Sequence, residues 1–322
     1  MSRPRRVEPK DRFALFWGGG LGDLLAIRPL LMALEGRLET PPYFFTTAHH
    51  LEGLFDALGL EVRLRVLPTG PREALAVFRN LGVRFDWIYL GPHPRLRTRL
   101  LARVVGARHI WSCRHTEVDS FIVEQLAADI RALGLEGPSQ PYGGAAALAR
   151  AEVTVPRDYL LFHPGAKPRW ETTRWPVQNW RELLRRTLAA SEVDVVLVGV
   201  QTERPLLEAL IGGSALGGRV QLAADWSLSQ LTSAVERSRG VVCHNSGVLH
   251  LAAALGKRTV ALTGSSAHYW RPSYPHVLNL TSGACGLACN QYRCPVPFYR
   301  ARCIRELDVG TVMDAMRQSF GI

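Results

Sequence analysis

The chain has 322 residues, 47% of them hydrophobic and 21% charged, an ordinary balance for a soluble globular protein long enough to bury two cores. No apolar stretch reaches the ~18 residues that span a bilayer, because Arg28 and Pro29 break the run from Leu24 to Leu34, and Phe13 to Trp17, behind a basic N-terminus, is too short for a signal-peptide core. The net charge of +11 favours an anionic partner, whether nucleic acid, a membrane surface or a phosphorylated substrate, and the chain reads as cytoplasmic.

Phe13 to Trp17 reads as a short buried strand, which runs into Gly18-Gly19-Gly20-Leu21-Gly22-Asp23 and then an apolar helical pattern through Leu34. Further strands are expected at Tyr43 to Thr46, Val62 to Val66, Trp87 to Leu90 and His109 to Ser112, with helix-like or loop segments between them. Such alternation implies a parallel sheet. Between Pro94 and His115 stand Arg95, Arg97, Arg99, Arg103, Arg108 and Arg114 without one acidic residue, either a solvated helix face or a binding surface. A helix from about Ser120 to Leu135 follows. Gly137 to Ala145, supplied with Gly, Pro, Ser and Gln, marks the interdomain linker, so the N-terminal domain is expected over 1–145 and the C-terminal domain over 146–322.

The second half repeats the pattern. Strands are expected at Tyr159 to His163, Val193 to Val198, Gly240 to His244 and Thr259 to Thr263, with helices near Val177 to Ala190, Ser227 to Glu236 and Val248 to Leu255. The last helix, near Val309 to Phe320, is free to cross back to the first domain. Two doubly wound α/β domains would hold a ligand in the crevice at the carboxyl ends of their strands.

Four segments carry candidate chemistry. The turn from Gly18 to Asp23 departs from the dinucleotide fingerprint, since Asp23 stands where the third glycine belongs, and a carboxylate at a helix mouth repels a pyrophosphate there. Asp23 reads either as an N-cap or as a base beside glycines that let a substrate approach the backbone. The turn His244-Asn245-Ser246-Gly247 carries no acid, and the N–H groups of Ser246, Gly247 and Val248 at a helix start suit a diphosphate. His250, one turn further, either reaches the same phosphate oxygens or is packed. The loop from His163 to Pro176 brings Lys167, Arg169, Thr172, Thr173 and Arg174 with Trp170 and Trp175, a phosphate grip lined by tryptophans or a solvated loop with the tryptophans packed. Glu203 follows Gly199, placed to accept hydrogen bonds from a nucleoside sugar or to serve as a helix-start acid.

Of six cysteines, Cys113 and Cys243 read as isolated small hydrophobes. Cys285, Cys289, Cys294 and Cys303 are separated by three, four and eight residues, which is not the tight pairing of zinc knuckles, so packed thiols are preferred over a structural metal.

The turn Gly20-Leu21-Gly22-Asp23, the segment from His163-Pro164-Gly165 to Arg174-Trp175-Pro176, the Glu203 loop and the run Asn245-Ser246-Gly247-Val248-Leu249-His250-Leu251-Ala252-Ala253-Ala254-Leu255-Gly256 together resemble, in order, the motifs of glycosyltransferase family 9, the heptosyltransferases. The resemblance implies a GT-B fold, two Rossmann-like domains facing a central cleft, and inverting transfer of heptose from ADP-heptose without a catalytic metal or a resident cofactor. It implies Asp23 as general base, and Thr172, Thr173, Glu203, Ser246, Gly247 and His250 as donor-holding positions, to which Lys167, Arg174 and Asn245 are added as neighbours. Gly20, Gly22, Arg97 and Arg99 are assigned to an anionic glycan or glycolipid acceptor, with peripheral contact to the cytoplasmic face of the inner membrane. The chain has Asn245 where the family usually has Asp and Thr173 where it usually has Lys, which leaves another nucleotide-sugar donor, or a protein or natural-product acceptor, as the alternative. A non-catalytic sugar-nucleotide or nucleic-acid binder ranks below both, because the arginine segment lacks the aromatic interleaving of a single-strand groove.

Overall fold

The computed structural model describes residues 6–51, 53–92, 96–113, 121–166, 174–212, 218–264, 270–284, 294–296 and 300–322. The chain divides into two compact units, Met1–Leu148 and Ala149–Ile322. Among the described residues no helix is long and apolar enough to cross a membrane.

The first unit runs β1 (Phe13–Phe16), α1 (Leu21–Glu35), β2 (Tyr43–Thr46), α2 (Leu54–Ala57), β3 (Arg63–Val66), α3 (Pro71–Leu81), β4 (Phe85–Leu90), α4 (Leu96–Val105), β5 (Ala107–Ser112) and α5 (Ile122–Ala132). Its strands form one parallel sheet in the order β3-β2-β1-β4-β5. The apolar run of β1 is buried at every position because helices cover both faces of the sheet there, whereas β3, at the edge, exposes Arg63 and Arg65. Phe16, Phe45, Phe78 and Phe85 pack on the side of α3 and α4. On the other side the Tyr89 hydroxyl donates to Asp129 of α5 at 2.7 Å. Cys113, expected to be an isolated small hydrophobe, joins this buried cluster instead, and its thiol is pushed up to about 12 by burial and by the nearby Asp129 carboxylate.

Arg28 does not merely interrupt an apolar run. It is fully buried in the middle of α1, where Nε donates to the Leu58 carbonyl at 2.7 Å and Nη1 to the Tyr142 and Gly144 carbonyls at 2.6 and 2.7 Å. The segment read as a linker is therefore pinned to the first unit. Tyr142 is buried with its backbone in the left-handed region, and the break between units falls after Leu148, not after residue 145.

The second unit runs β6 (Tyr159–His163), α6 (Val177–Ala190), β7 (Asp194–Val198), α7 (Arg204–Ile211), β8 (Val220–Ala223), α8 (Leu228–Arg237), β9 (Gly240–His244), α9 (Gly247–Ala254), β10 (Thr259–Leu262), β11 (Val277–Leu280), α10 (Arg302–Arg305) and α11 (Val309–Phe320). Its sheet is also parallel, in the order β11-β10-β9-β6-β7-β8. The last helix does not leave this unit. Val312, Met313, Met316 and Phe320 lie in the same core as Leu160, Trp180 and Leu183, and α11 packs on α6.

Both sheets share a winding rule. The chain builds outward from its first strand, then returns to that strand's other side, so β1 lies between β2 and β4, and β6 between β7 and β9. Loops leaving the carboxyl ends of adjacent strands diverge at such a switch point and open a crevice.

Candidate functional site

In each unit one of the two strands at the switch point runs through a short turn into a helix, β1 into α1 and β9 into α9, and the two helix starts are built in opposite ways. In the first, Gly20 is the N-cap of α1, and Asp23 stands three residues further in, so the expectation of Asp23 itself as N-cap is corrected. Its Oδ2 accepts the Gly20 N–H at 2.6 Å, and the Trp17 indole donates to its carbonyl at 3.1 Å. Gly19 has φ +118, and a Cβ there would collide with the Asp23 carboxylate. This helix mouth is already filled by a negative group, which would repel a phosphate placed there.

In the second unit the N-cap of α9 is Ser246, and its side chain does not cap. The Ser246 Oγ lies 3.1 Å from His163 Nδ1, across from β9 to the end of β6. By contrast Ser227, at the start of α8, accepts the Gln230 N–H in the ordinary way. With the Ser246 hydroxyl drawn aside, no described group accepts the N–H of Gly247 or Val248. Orphan donors at the positive end of a helix, facing a switch point with no carboxylate among them, are a ready seat for phosphate oxygens. Asn245, between β9 and this terminus, is half-buried and adds an amide instead of a charge.

His163 links this terminus to Glu203. Its Nε2 lies 3.7 Å from Glu203 Oε2, and the same carboxylate accepts the Val200 N–H at 3.0 Å. Burial pushes the Glu203 carboxyl upward, but His163 and the Val200 N–H outweigh it and hold the group below the usual carboxylate range. Glycine leaves room for it at two places, since a Cβ at Gly165 or Gly199 would meet the Glu203 side chain as it now lies. One Glu203 edge is thus fixed by the protein, leaving an acceptor joined through His163 to the start of α9.

His244, at the end of β9, clamps the next loop. Its Nε2 accepts the Trp175 N–H at 2.9 Å and the Trp180 indole N–H at 3.3 Å, so the ring's proton sits on Nδ1, which faces the Gly165 carbonyl at 3.3 Å. Burial pushes this imidazole down to about 3, against the Gly165 carbonyl, and keeps it neutral. Trp175 does not line a crevice: it is buried against Trp180, and its indole donates to the Leu307 carbonyl at 2.8 Å.

The remaining expected positions divide. Arg174 is exposed, with Nη2 3.5 Å from the Ala166 carbonyl. Lys167, Arg169, Trp170, Thr172 and Thr173 lie outside the described residues, as do Arg95, Arg114, Cys285 and Cys289. His250 is 3% exposed and meets the Trp270 ring edge to face, which is the packed alternative, and burial pushes it down to about 4. Gly20 and Gly22 flank the Asp23 turn, while Arg97 and Arg99 are exposed on α4. Cys303 is buried in the second unit's core, and the half-buried Cys294 donates to the Val296 carbonyl at 3.3 Å. Sequence reasoning gave His163, Gly165 and His244 no role. The available signal was their position at the carboxyl ends of the two strands that flank the switch point, or just beyond.

The family model described as Glycosyltransferase family 9 (heptosyltransferase) matches residues 125–299, more than half of the chain. No curated protein sequence matches. Among solved structures, the chain is similar to a glycosyl transferase family 9 protein from Veillonella parvula DSM 2008, with a TM-score of 0.73 at 15% identity, covering 98% of this chain and 99% of that one. It is similar to E. coli ADP-heptose lps heptosyltransferase II, with a TM-score of 0.65, 16% identity and coverage of 96% and 98%. It is also similar to E. coli heptosyltransferase WaaC with ADP-2-deoxy-2-fluoro heptose, with a TM-score of 0.64, 16% identity and coverage of 95% and 99%. At these identities the likeness is one of fold, the two-domain α/β fold of GT-B type.

Proposed function

The chain belongs to glycosyltransferase family 9 and is a glycosyltransferase, and we propose that it moves heptose from ADP-heptose onto a hydroxyl of a lipopolysaccharide core or related glycan. The observation that carries the donor half is the uncapped start of α9, where the Ser246 hydroxyl is held by His163 and the Gly247 and Val248 N–H groups are left for a diphosphate. The WaaC structure, with its bound ADP-heptose analogue, supports a nucleotide sugar as the ligand of this fold.

In this reading the acceptor hydroxyl attacks the anomeric carbon as Asp23 takes its proton, the carbon–oxygen bond to the diphosphate breaks, and ADP leaves with the electron pair. Negative charge growing on the leaving diphosphate falls on the α9 terminus, a donor in place before the reaction starts, and on a cation assigned to Lys167, Arg169 or Arg174. Glu203, fixed by Val200 and His163, accepts from the ribose hydroxyls. His250 packs behind the terminus and is assigned no ligand contact. Gly20 and Gly22 admit the acceptor to the backbone beside Asp23, and Arg97 and Arg99 meet its anionic groups. Nucleic acid is not a partner in this reading, and the reaction is assigned no resident cofactor or metal.

Asn245 supports a second reading of the same reaction with another nucleotide sugar, since an amide in place of the family's usual carboxylate changes what the seat can bind or exclude. A panel of isotopically labelled nucleotide sugars, each incubated with a lipid-linked core acceptor, separates the two. Transfer from ADP-heptose alone supports the first reading, transfer from a different donor the second. Release of label from none of them, with the protein folded, would overturn both.

A further inference from the structure

Helix α4 has two apolar faces. Leu101, Ala102 and Val105 turn inward onto the aromatic cluster of the first unit. Leu96, Leu100 and Val104, spaced four residues apart, form a second stripe on the opposite side, 73%, 50% and 64% exposed. These are three of the few large hydrophobic residues that the described surface exposes at all. Arg97 borders the stripe on one side, Arg99 and Arg103 on the other, all exposed, and none has a carboxylate partner among the described residues. The neighbouring edge strand β5 adds Ile110, 44% exposed, and Arg108, which pairs with Asp86 at 3.4 Å. Register places Ile110 beside Ile88, whose side chain packs in the core under α4, so Ile110 lies on the α4 side of the sheet.

A helix that is polar outside is solvated at no cost; one that exposes an aliphatic stripe between arginines is arranged for a surface that is apolar below and anionic above. We propose that α4 docks the protein on an anionic lipid bilayer, with Leu96, Leu100 and Val104 entering the boundary between headgroups and acyl chains and Arg97, Arg99 and Arg103 meeting lipid phosphates. Charge selects this occupant. A second copy packed stripe to stripe about a two-fold axis would set arginine against arginine. Nucleic acid satisfies the arginines but offers nothing to three aliphatic side chains, and the stripe has no aromatic ring on which a base could stack. The inference deepens the glycolipid-acceptor part of the proposed function, because such an acceptor is presented at a membrane surface, but it rests on the first unit alone and involves no donor.

The full-length protein is sedimented with vesicles of phosphatidylcholine alone and of phosphatidylcholine containing about 30% phosphatidylglycerol, without any nucleotide sugar, at low and high salt. The expected result is binding to the anionic vesicles at least ~10-fold stronger than to the neutral ones, and weaker at high salt. The triple variant Leu96→Ser, Leu100→Ser, Val104→Ser should lose ~10-fold or more of that binding with an unchanged circular dichroism spectrum. Leu100→Glu, a single change at an exposed site, should lose it several-fold and serves if the triple variant folds poorly. Binding retained by both variants would overturn the proposal in favour of diffuse attraction by the net positive charge. Absence of any preference for anionic vesicles would overturn it outright. A dimer seen by ultracentrifugation and abolished by the same variants would make a second copy the occupant. If instead vesicle binding holds and no donor is turned over, the membrane surface stands and the donor assignment falls.

Discussion

Ser246 and His163 hold each other across 83 residues of sequence, the serine hydroxyl 3.1 Å from the imidazole Nδ1, and in doing so the serine abandons the helix it begins. A side chain normally spent on closing a helix end is used to keep that end open. Replacing His163 with Phe should let the Ser246 hydroxyl turn back over α9 and compete with an anion for its N–H groups. ADP affinity, measured by calorimetric titration, is expected to fall by ~10-fold or more while the folded state survives. Unchanged ADP affinity in the His163→Phe protein would separate the open helix end from nucleotide binding.

Asp23 makes a different prediction, because its carboxylate has both a structural and a proposed chemical task. Asn at this position still offers an oxygen to the Gly20 N–H, so α1 should start where it does now. What Asn lacks is the ability to take a proton. Asp23→Asn is expected to keep its melting temperature and its ADP affinity while turnover falls by ~100-fold or more. A variant that keeps most of its turnover would leave Asp23 as a helix-start residue and nothing else.

Gly165 tests the rigidity of Glu203. Its backbone is not in the left-handed region, so alanine costs nothing there conformationally; the added methyl simply occupies the space of the Glu203 carboxylate. Gly165→Ala should displace that carboxylate from Val200 and His163, lowering stability by ~1–3 kcal/mol in urea unfolding. Affinity for adenosine diphosphate should drop more than affinity for inorganic pyrophosphate, since the ribose partner is the group displaced. Equal losses for both ligands would count against a ribose contact at Glu203.

Acid should unfold the second unit through its buried imidazoles. His244 is pushed down to about 3 and His250 to about 4 by burial, whereas both titrate near ~6.5 in the unfolded chain. Between those values the unfolded state binds protons that the folded state refuses, so stability is fully present above ~6.5 and is lost as the pH falls, by up to ~1.4 kcal/mol per pH unit for each ring. Glu203, held low in the folded state, contributes stability that is lost in the same direction when it is finally protonated. The urea midpoint is expected to be flat between about pH 7 and 8, to fall from about pH 6 to 4.5, and to fall less steeply in His250→Leu. An identical slope in parent and variant would show that His250 is not a proton-refusing group.

The central strands were legible in the sequence because burial on both faces demands unbroken apolar runs, and Tyr43–Thr46, Tyr159–His163 and Gly240–His244 have the expected limits. The edge strands β8 and β11 were not. Each pairs with one neighbour only, and Gln221 and Asn279 dilute four-residue runs too short to show a period. The motif residues Asp23, Glu203 and Ser246 could be named from their turns, but their partners could not. His163 meets Ser246 only because the winding order sets β6 beside β9, and Cys113 meets Tyr89 and Asp129 only because β4 and α5 bring them to one side of a sheet. Local pattern carries no information on such meetings. Arg28 shows the same limit, since the sequence marks it only as an interruption of an apolar run, and the distant carbonyls that make it part of the core cannot be read there.

That arginine also sets an order of events during synthesis. Its three carbonyl partners belong to Leu58, Tyr142 and Gly144, so the charge at the centre of α1 lacks two of them until the chain has grown past residue 144. A nascent first half that stops at α5 would bury an unsatisfied guanidinium, which costs several kcal/mol. The first unit is therefore expected to close only once its last dozen residues are present, and a fragment made to fold alone should include them.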